Sequence, residues 1–279
     1  MRALYVDLDG TLLGPGASLL TGPDGGFSLD GVRALQACHR AGAEVVIYSG
    51  RRQGSVYEHA RVIGQASYIF EIGCGLVLDG ELEWLTDGVE PSPANGTIFE
   101  QMEASGAPQL LLTAFAGRLE YHTPWSIGRE VSHLFRGQVD LDEAAVVLAQ
   151  AGFDWLRLVD NGVLAAHGVA LDGDVFGIEA DRVHAYHLIP AGASKARAVA
   201  RHMQNRGYAP DQVIAVGDSR EDLGAAEVVG SFWMVANGLA RDPSLASELA
   251  GRSGVHVAEG GYGTGVYEAV LTTLAERSH

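Results

Sequence analysis

The chain opens with a short apolar run that ends in two aspartates, Ala3-Leu4-Tyr5-Val6-Asp7-Leu8-Asp9-Gly10-Thr11. Residues 3–8 are almost continuously apolar, which is typical of a strand buried on both faces of a parallel sheet. Asp7 and Asp9 are two residues apart and therefore project to the same side. Ligands of open α/β sheets bind beyond the carboxyl ends of the strands, so this pair indicates a functional site. An Asp-Gly turn with incidental acids is the alternative.

Strand and helix patterns alternate on both sides of a long middle segment. Further strands are predicted at residues 44–48, 68–72, 213–216 and 232–236, and helices at 30–40, 194–206 and 262–275, with a helical segment ending at 66 and another after Asp222. Strands joined to helices by short connections are typical of a doubly wound α/β fold. We therefore predict a Rossmann-like core built on a doubly wound parallel sheet.

The middle segment follows another pattern. Strands are predicted at residues 110–115, 119–122, 155–159 and 163–166, and helices at 126–136 and 142–151, with turns at 116–117 and 161–162. Asn161-Gly162 is a strong hairpin signal because both residues tolerate the positive φ of a two-residue turn. The chain is thus predicted as an α/β domain, residues 1–80 and 187–279, interrupted by an α+β insertion over residues 81–186.

Composition restricts the function. The 279 residues include 19 basic and 35 acidic side chains, for a formal net charge of −16, which argues against nucleic acid or an anionic membrane surface as partner. No apolar run approaches the roughly 18 residues that span a bilayer. With only two cysteines there is no disulfide framework, and we expect a cytoplasmic protein. An anionic substrate would need a metal ion and local cations to offset the long-range repulsion.

A second group of acids follows the predicted strand at 213–216, in the sequence Gly217-Asp218-Ser219-Arg220-Glu221-Asp222. Carboxylates at the ends of two strands are typical of a site for a hard cation with oxygen ligands, and Mg²⁺ fits best. Asp218 and Glu221 could instead act as a helix N-cap and a first-turn acid.

Lys195 is the only lysine among the 19 basic residues. Lysine supplies a compact, movable point charge where arginine supplies a rigid fork. Chance is the alternative reading of a single lysine, unless other features select the same position.

These features occur together in a known family. Four ordered motifs, Asp7-x-Asp9-Gly10-Thr11, Ser49-Gly50-Arg51, Lys195 and Gly217-Asp218-x-x-x-Asp222, resemble those of the haloacid dehalogenase superfamily. The resemblance implies that Asp7 is the nucleophile that accepts a phosphoryl group and that Asp9 is the general acid and base. Ser49 and Lys195 would hold the phosphoryl oxygens. Asp218 would ligate Mg²⁺ together with Asp7 and the backbone carbonyl of Asp9, and Asp222 would support or join it.

The position of the insertion refines the resemblance. Because the long α+β segment falls between Arg51 and Lys195, the chain is similar to the subfamily with a type-2 cap. That subfamily includes Cof-like sugar phosphatases, sucrose-phosphate and mannosyl-3-phosphoglycerate phosphatases and a phosphomannomutase. Phosphate or substrate contacts are expected from Gly50, Arg51, Glu221 and Asn237. Glu221 stands where members often have Asn, and Ile72 departs from a common Glu-Asn-Gly sequence.

Substrate choice is expected in the insertion. On the predicted helix at 126–136, Arg129, His133 and Arg136 would share one face. Two arginines and a histidine could bind a second anionic group of the substrate, such as a carboxylate or another phosphate. A solvated helix face is the alternative.

The sequence therefore predicts a magnesium-dependent phosphomonoester hydrolase for a small phosphorylated metabolite, a sugar phosphate or a phosphoglycerate-type compound. A phosphomutase would use the same residues but return the phosphoryl group to a sugar. A non-catalytic binding module on the same fold is a third hypothesis, against which the intact set of Asp7, Asp9, Lys195 and Asp218 argues.

Overall fold

The structure is a computed structural model that describes residues 1–164, 178 and 182–276. Their contacts divide the chain into a first unit, Met1–Glu83 with Ser194–His279, and a second unit, Trp84–Ala193. The expected boundaries were 80/81 and 186/187. None of the helices in the described ranges combines the length and the apolar character needed to cross a membrane.

The strands, in chain order, are β1 (Ala3–Val6), β2 (Glu44–Tyr48), β3 (Tyr68–Phe70), β4 (Gly75–Leu78), β5 (Glu81–Trp84), β6 (Leu119–Tyr121), β7 (His133–Gly137), β8 (Leu156–Val163), β9 (His184–Pro190), β10 (Val213–Gly217), β11 (Ser231–Met234) and β12 (Val255–Val257). The helices are α1 (Asp30–Arg40), α2 (Gln53–Val62), α3 (Ile98–Ser105), α4 (Ala107–Ala114), α5 (Leu141–Gln150), α6 (Lys195–Arg206), α7 (Arg220–Leu223), α8 (Ala236–Arg241), α9 (Leu245–Leu249) and α10 (Tyr262–Glu276). Short 3₁₀ turns occur at Pro15–Ala17, Glu71–Gly73, Pro210–Gln212 and Gly224–Glu227.

The first unit is built on one large sheet, in the order β12-β11-β10-β1-β2-β3-β4-β5. From β12 to β3 every neighbouring pair is parallel, and β4 then pairs with β3 in the antiparallel sense. All four residues of β1 are fully buried, as its apolar run requires. The predicted doubly wound, mainly parallel α/β core is confirmed.

α6 illustrates how the sequence fixes an element that carries the site. Ser194 is its N-cap, and the Ser194 Oγ accepts a hydrogen bond from the Arg197 amide at 3.0 Å. Gly207 ends the helix in the left-handed conformation, at φ +67°. Lys195 is therefore the first residue of a well-bounded helix.

The second unit contains an antiparallel sheet in the order β6-β7-β9-β8, with α3, α4 and α5 in the same unit. The helix α5 was predicted almost to its ends. The helix predicted at residues 126–136 is wrong, because β7 occupies the second half of that range. β7 pairs with β6 and β9 and is buried along its whole length. Hydrogen bonding on both edges outweighs the helical spacing of its apolar residues.

Two further predictions in this unit are wrong. Residues 110–115 were predicted as a strand, but α4 covers Ala107–Ala114. Its buried residues include Ala107 and Leu111, four apart, and a short apolar run cannot by itself distinguish helix from strand. Asn161-Gly162 lies inside β8 at a register shift, not in a hairpin turn. There the Asp160 carboxylate accepts the Gly162 amide at 2.8 Å, which is a local alternative to a turn. The second predicted strand of that hairpin lies outside the described residues beyond Leu164.

Candidate active site

Three predicted site residues follow neighbouring strands of the large sheet. Asp7 comes directly after β1, Ser49 directly after β2, and Asp218 directly after β10. Because β10, β1 and β2 are adjacent and parallel, their carboxyl ends meet at one edge. Asp7 and Ser49 are nearly inaccessible, at 5% and 1% exposure. The sheet thus brings together residues that are up to 211 positions apart in the sequence.

Lys195 lies at the centre of the buried charges. Its Nζ donates to Asp7 Oδ1 at 2.8 Å and to Asp222 Oδ1 at 2.7 Å. The ammonium also lies 5.0 Å from the centre of the Tyr48 ring, within the range of a cation–π contact. Burial by itself would lower the pKa of Lys195, but Asp222 and Asp7 outweigh it and raise that pKa above its ordinary value. Lys195 is consequently held as a cation.

Asp7 carries a raised pKa. Burial is the largest cause, and repulsion from Asp222 and Asp218 adds to it, while Lys195 acts in the opposite direction. Burial likewise raises the pKa of Asp218 to about 7, with further contributions from neighbouring carboxylates and opposition from Arg241 and Lys195. The site therefore holds more negative charge than its own cations balance.

Such a site suits a divalent cation. Asp7, Asp218 and Asp222 each offer a carboxylate oxygen, and these three oxygens lie within 4.8 Å of one another. Carboxylate oxygens are the ligands that Mg²⁺ prefers, and a bound cation would relieve the repulsion that raises the pKa of Asp7 and Asp218. The residues present thus fit the metal that the sequence motifs imply.

Both oxygens of Asp222 also accept hydrogen bonds from this chain. Oδ1 accepts from Lys195, while Oδ2 accepts from the Ser219 hydroxyl at 2.6 Å and the Ser219 amide at 3.0 Å. Gly217 leaves the space that this arrangement needs, because a Cβ there would lie 2.2 Å from the Asp222 Cβ. Asp222 therefore orders the loop after β10 and aims Lys195.

Asp9 and Arg51 form a second, more accessible pair. Arg51 Nε donates to Asp9 Oδ2 at 2.6 Å, and Arg51 Nη2 donates to Asp9 Oδ1, which makes a bidentate fork. The Asp9 side chain is 54% exposed, in contrast to buried Asp7. Ser49 Oγ accepts the Arg51 amide at 3.2 Å, and buried Gly50 lies between them. The second motif is thus coupled to the first through Arg51.

Two residues predicted to bind substrate, Glu221 and Asn237, contact backbone groups of this chain. The Glu221 carboxylate accepts the amide of Lys195 at 3.3 Å, so it supports the start of α6. Asn237 donates from Nδ2 to the Gly10 carbonyl at 2.7 Å and accepts the Tyr262 amide at Oδ1, also at 2.7 Å. Both side chains therefore stabilise the loops that carry the motifs. Whether either also contacts substrate remains a prediction.

The three predicted residues of the insertion do not share a face. His133 and Arg136 are three apart on β7 and point to opposite sides of the sheet, and Arg129 precedes that strand. All three are buried, so a solvated helix face is also wrong. Arg129 donates to Ser132 Oγ at 2.8 Å, Arg136 donates to Glu120 at 2.6 Å, and His133 stacks on Phe99 with 3.8 Å between ring centres.

Sequence reasoning missed three side chains at this edge of the sheet. Tyr48 lies beneath the Lys195 ammonium, and Arg241 on α8 donates from Nη1 to Asp218 Oδ2 at 2.9 Å. Tyr262 accepts a hydrogen bond from Arg241 Nη2 at 2.8 Å. An aromatic residue directly before Ser49 was a possible signal for Tyr48. α8 is too short for a periodic pattern, so the sequence offered none for Arg241.

Comparisons with known proteins find similar sequences and structures. A family model described as haloacid dehalogenase-like hydrolase matches residues 171–250. The phosphoglycolate phosphatase of Methanoculleus marisnigri is 25% identical over 276 residues, 97% of this chain and 95% of the relative. That of Pyrobaculum neutrophilum is 27% identical over 274 residues, 98% of this chain and 96% of the relative. The structure of the sucrose-phosphatase from Synechocystis sp. PCC6803, in complex with sucrose and phosphate, has the same fold, with a TM-score of 0.64, 16% identity and 98% coverage of both chains.

Proposed function

We propose that this chain, which is similar to haloacid dehalogenase-like hydrolases over residues 171–250 and to phosphatases over nearly its whole length, is a magnesium-dependent phosphomonoester hydrolase that forms an aspartyl-phosphate on Asp7. The observation that carries the proposal is the buried contact between Asp7 and Lys195 beside two further carboxylates. A carboxylate nucleophile divides a difficult phosphoryl transfer into two easier steps.

In the first step, a carboxylate oxygen of Asp7 attacks phosphorus, and the bond from phosphorus to the substrate oxygen breaks. Asp9 gives a proton to that leaving oxygen. In the second step, Asp9 takes a proton from water as the water oxygen attacks phosphorus, which releases inorganic phosphate and restores Asp7. The greater exposure of Asp9 suits a group that exchanges protons with both substrate and water.

The remaining residues hold the phosphoryl group. Lys195 offsets the repulsion between Asp7 and an anionic substrate, because its charge is already placed 2.8 Å from the nucleophile. Ser49 accepts a hydrogen bond from Arg51, which leaves its hydroxyl hydrogen available to a phosphoryl oxygen. Asp7, Asp218 and the backbone carbonyl of Asp9 would hold Mg²⁺, with Asp222 in support. When bound, Mg²⁺ would act as a Lewis acid that neutralises charge on the phosphoryl oxygens.

The substrate we propose is a small phosphorylated acid or sugar. Full-length relatives named phosphoglycolate phosphatase support the former, so 2-phosphoglycolate is the first compound to test. 3-Phosphoglycerate and hexose phosphates follow, because the sequence alone favoured sugar phosphates and phosphoglycerate-type compounds.

The test is release of inorganic phosphate from this panel, with and without Mg²⁺. We expect release that requires Mg²⁺ and that falls to the assay background in Asp7→Asn, because an amide is a poor nucleophile. Asp154→Asn is the matched control: it removes the same charge from an exposed position in the other unit and should retain wild-type rates.

Other outcomes identify the alternatives. Accumulation of an isomeric sugar phosphate, without phosphate release, would identify a mutase. Absence of turnover across the panel, in a folded protein that binds Mg²⁺, would favour a binding module. Undiminished turnover in Asp7→Asn would contradict the aspartyl-phosphate.

A further inference from the structure

Asp218 is held from outside the four motifs. Arg241, the last residue of α8, donates from Nη1 to Asp218 Oδ2 at 2.9 Å. The other oxygen, Oδ1, accepts a long hydrogen bond of 3.4 Å from the Thr11 hydroxyl. The Asp218 side chain is 10% exposed and that of Arg241 is 29% exposed. Arg241 is therefore the partner that fixes the plane of this carboxylate.

Arg241 is itself fixed by Tyr262. Its Nη2 donates to the Tyr262 hydroxyl at 2.8 Å, and its guanidinium carbon lies 5.3 Å from the centre of the Tyr262 ring. Tyr262 has a φ of +51°, in the left-handed region that non-glycine residues rarely adopt. The Asn237 side chain accepts the Tyr262 amide in that conformation. A strained residue is thus held in place where it meets Arg241.

These contacts form a closed path around the site. Asn237 also donates to the Gly10 carbonyl, which belongs to the first motif. A Cβ on Gly10 would lie 2.1 Å from Asp218 Oδ2 and 2.7 Å from Arg241 Nη1. The Gly10 backbone therefore packs directly against the Asp218–Arg241 pair. Rigid second-layer contacts of this kind orient a metal ligand before the metal binds.

We propose that Arg241 is a positioning residue which, held by Tyr262, fixes the Asp218 carboxylate in the orientation that ligates Mg²⁺. Arg241 and Tyr262 together then set the Mg²⁺ affinity of the site. This inference rests on the proposed function, because it takes Asp218 to be a metal ligand. Neither residue belongs to the four motifs.

The charge of Arg241 and its orientation of Asp218 predict opposite effects on Mg²⁺ affinity when Arg241 is replaced. Arg241 is a cation, and removing a positive charge beside a metal site would tighten Mg²⁺ binding if charge alone mattered. Orientation predicts the reverse, since loss of a residue that orients a ligand weakens metal affinity by about 10- to 100-fold. Tyr262→Phe separates the two effects, because it removes the hydroxyl that holds Arg241 and changes no charge.

The experiment measures Mg²⁺ binding by isothermal titration calorimetry, without substrate, on the full chain. We expect the Kd for Mg²⁺ to rise by about tenfold in Arg241→Met, and by a smaller factor in Tyr262→Phe. Arg118→Met, which removes an exposed arginine paired with Glu143 in the other unit, controls for the change in net charge. Tyr208→Phe, which removes a hydroxyl bonded to Glu44, controls for the loss of a phenol.

Two results would overturn the inference: an unchanged or tighter Kd in Arg241→Met, or a Tyr262→Phe variant that binds Mg²⁺ as the wild type does. Thermal unfolding of each variant checks that it is folded, and Arg241→Lys, which keeps the charge but not the fork, replaces Arg241→Met if that variant is unfolded. With a hydrolysable substrate, the Mg²⁺ concentration for half-maximal rate should rise while kcat recovers at saturating Mg²⁺. A wild type that binds Mg²⁺ but hydrolyses nothing would refute the proposed function and leave this test valid.

Discussion

The buried charges around Lys195 are arranged for chemistry more than for stability. Asp7 and Asp222 share its ammonium, and Asp218 has Arg241 as its cation. Taking ions out of water costs several kcal/mol each, and a buried ion pair returns that cost only with near-ideal geometry. Here Asp7 keeps a raised pKa despite its lysine. A fold that tolerates this residual repulsion presents a site whose charge is completed by a bound cation.

Gly73 gives a prediction at the scale of one residue. It ends a left-handed turn in which Glu71, Ile72 and Gly73 all have positive φ, of +45°, +59° and +81°. A Cβ on Gly73 would lie 2.1 Å from the Ser194 carbonyl oxygen and 2.9 Å from the Lys195 amide nitrogen. Gly73→Ala should therefore displace the start of α6. We expect the free energy of unfolding to fall by about 3 kcal/mol and kcat to fall as well.

Gly64→Ala is the matched control for that substitution. Gly64 also has a positive φ, +74°, but a Cβ there meets nothing within 4 Å. The free energy of unfolding of Gly64→Ala should fall by about 1 kcal/mol, the cost of the backbone conformation alone, and kcat should be retained. Urea unfolding and phosphate release on both variants make the comparison. Equal losses of stability in the two variants would show that the approach of Gly73 to α6 is unimportant.

The sequence selected Asp7, Asp9, Ser49 and Asp218 as candidates because they follow strand patterns, and Lys195 because it is the only lysine; the ordered motifs support all five. Their meeting point follows from the parallel order of β10, β1 and β2. Arg241 and Tyr262 could not be found in this way. They are 21 residues apart, neither lies in an acid-rich motif, and their role depends on a tertiary contact between α8 and the start of α10.

At the scale of elements, a polar network ties the start of β2 to the end of α6. Arg206 donates to Glu44 at 2.9 Å and also forms a fork with Asp79, which follows β4. Tyr208 donates to Glu44 Oε2 at 3.0 Å, and His202 lies 3.5 Å from Oε1. The Glu44 side chain is only 17% exposed. This network therefore joins a strand, a helix and a turn through one half-buried carboxylate.

We predict that Glu44 makes a pH-dependent contribution to the stability of the fold. Burial alone would raise the pKa of Glu44, but His202 and Arg206 outweigh it and lower the pKa to about 2. Because the folded pKa lies below the unfolded value of about 4.3, ionised Glu44 stabilises the fold above pH 4.3, and that contribution is lost as the pH falls towards 2. Glu44→Gln should cost about 1 to 3 kcal/mol at pH 7 and progressively less below pH 4.3.

Urea unfolding of wild type and Glu44→Gln between pH 7 and pH 3 measures this difference. Glu83→Gln is the control, since it removes the same charge from a pair with Arg201 in which both side chains are more than a third exposed. Exposed pairs contribute about 0 to 1 kcal/mol, so its difference from wild type should be small. A Glu44→Gln deficit that stays constant down to pH 3 would contradict the assigned pKa.

Five strands of the large sheet, β1, β2, β3, β10 and β11, were predicted because buried parallel strands are apolar without interruption. β4, β5 and β12 were not predicted. The second unit was predicted less well for a physical reason. β7 lies between β6 and β9, and both its faces are buried, so it lacks the alternation that identifies a half-exposed strand. The conformation of β7 depends on its pairing with β6 and β9, and the local spacing of apolar residues does not reveal that pairing.

At the scale of the whole molecule, the two units differ in what they contain. Within the described residues, the large sheet lies in Met1–Glu83 and Ser194–His279, apart from Trp84 at the end of β5. The smaller sheet and α3 to α5 lie in Trp84–Ala193. Among the described residues, the carboxylates that fit Mg²⁺, Asp7, Asp218 and Asp222, all belong to the first unit. We propose that substrate choice lies in the second unit.

Replacing residues 84–193 by a linker tests this division. The Glu83 carboxylate accepts Arg201 Nε at 2.7 Å, and Arg201 lies six residues into α6, about 9 Å along its axis from Lys195. About eight Gly/Ser residues, with a mean span of roughly 15 Å, should therefore connect Glu83 to Ser194. We expect the shortened chain to fold and to bind Mg²⁺ with a Kd within about threefold of the full chain, because a metal site keeps its affinity when its ligands and their supporting contacts are retained.

In the shortened chain, selectivity among substrates should change although the affinity for Mg²⁺ does not. If the insertion discriminates among substrates, the ratio of kcat/KM between the best natural compound and p-nitrophenyl phosphate should fall by about tenfold or more, since interactions that distinguish substrates often amount to a few kcal/mol. Circular dichroism and calorimetry establish folding and Mg²⁺ binding before rates are compared. A folded, shortened chain with full selectivity would place discrimination in the α/β unit, beside Arg51 and Asp9. A folded chain without Mg²⁺ binding would show instead that the insertion is needed to keep Asp7 and Asp218 in position.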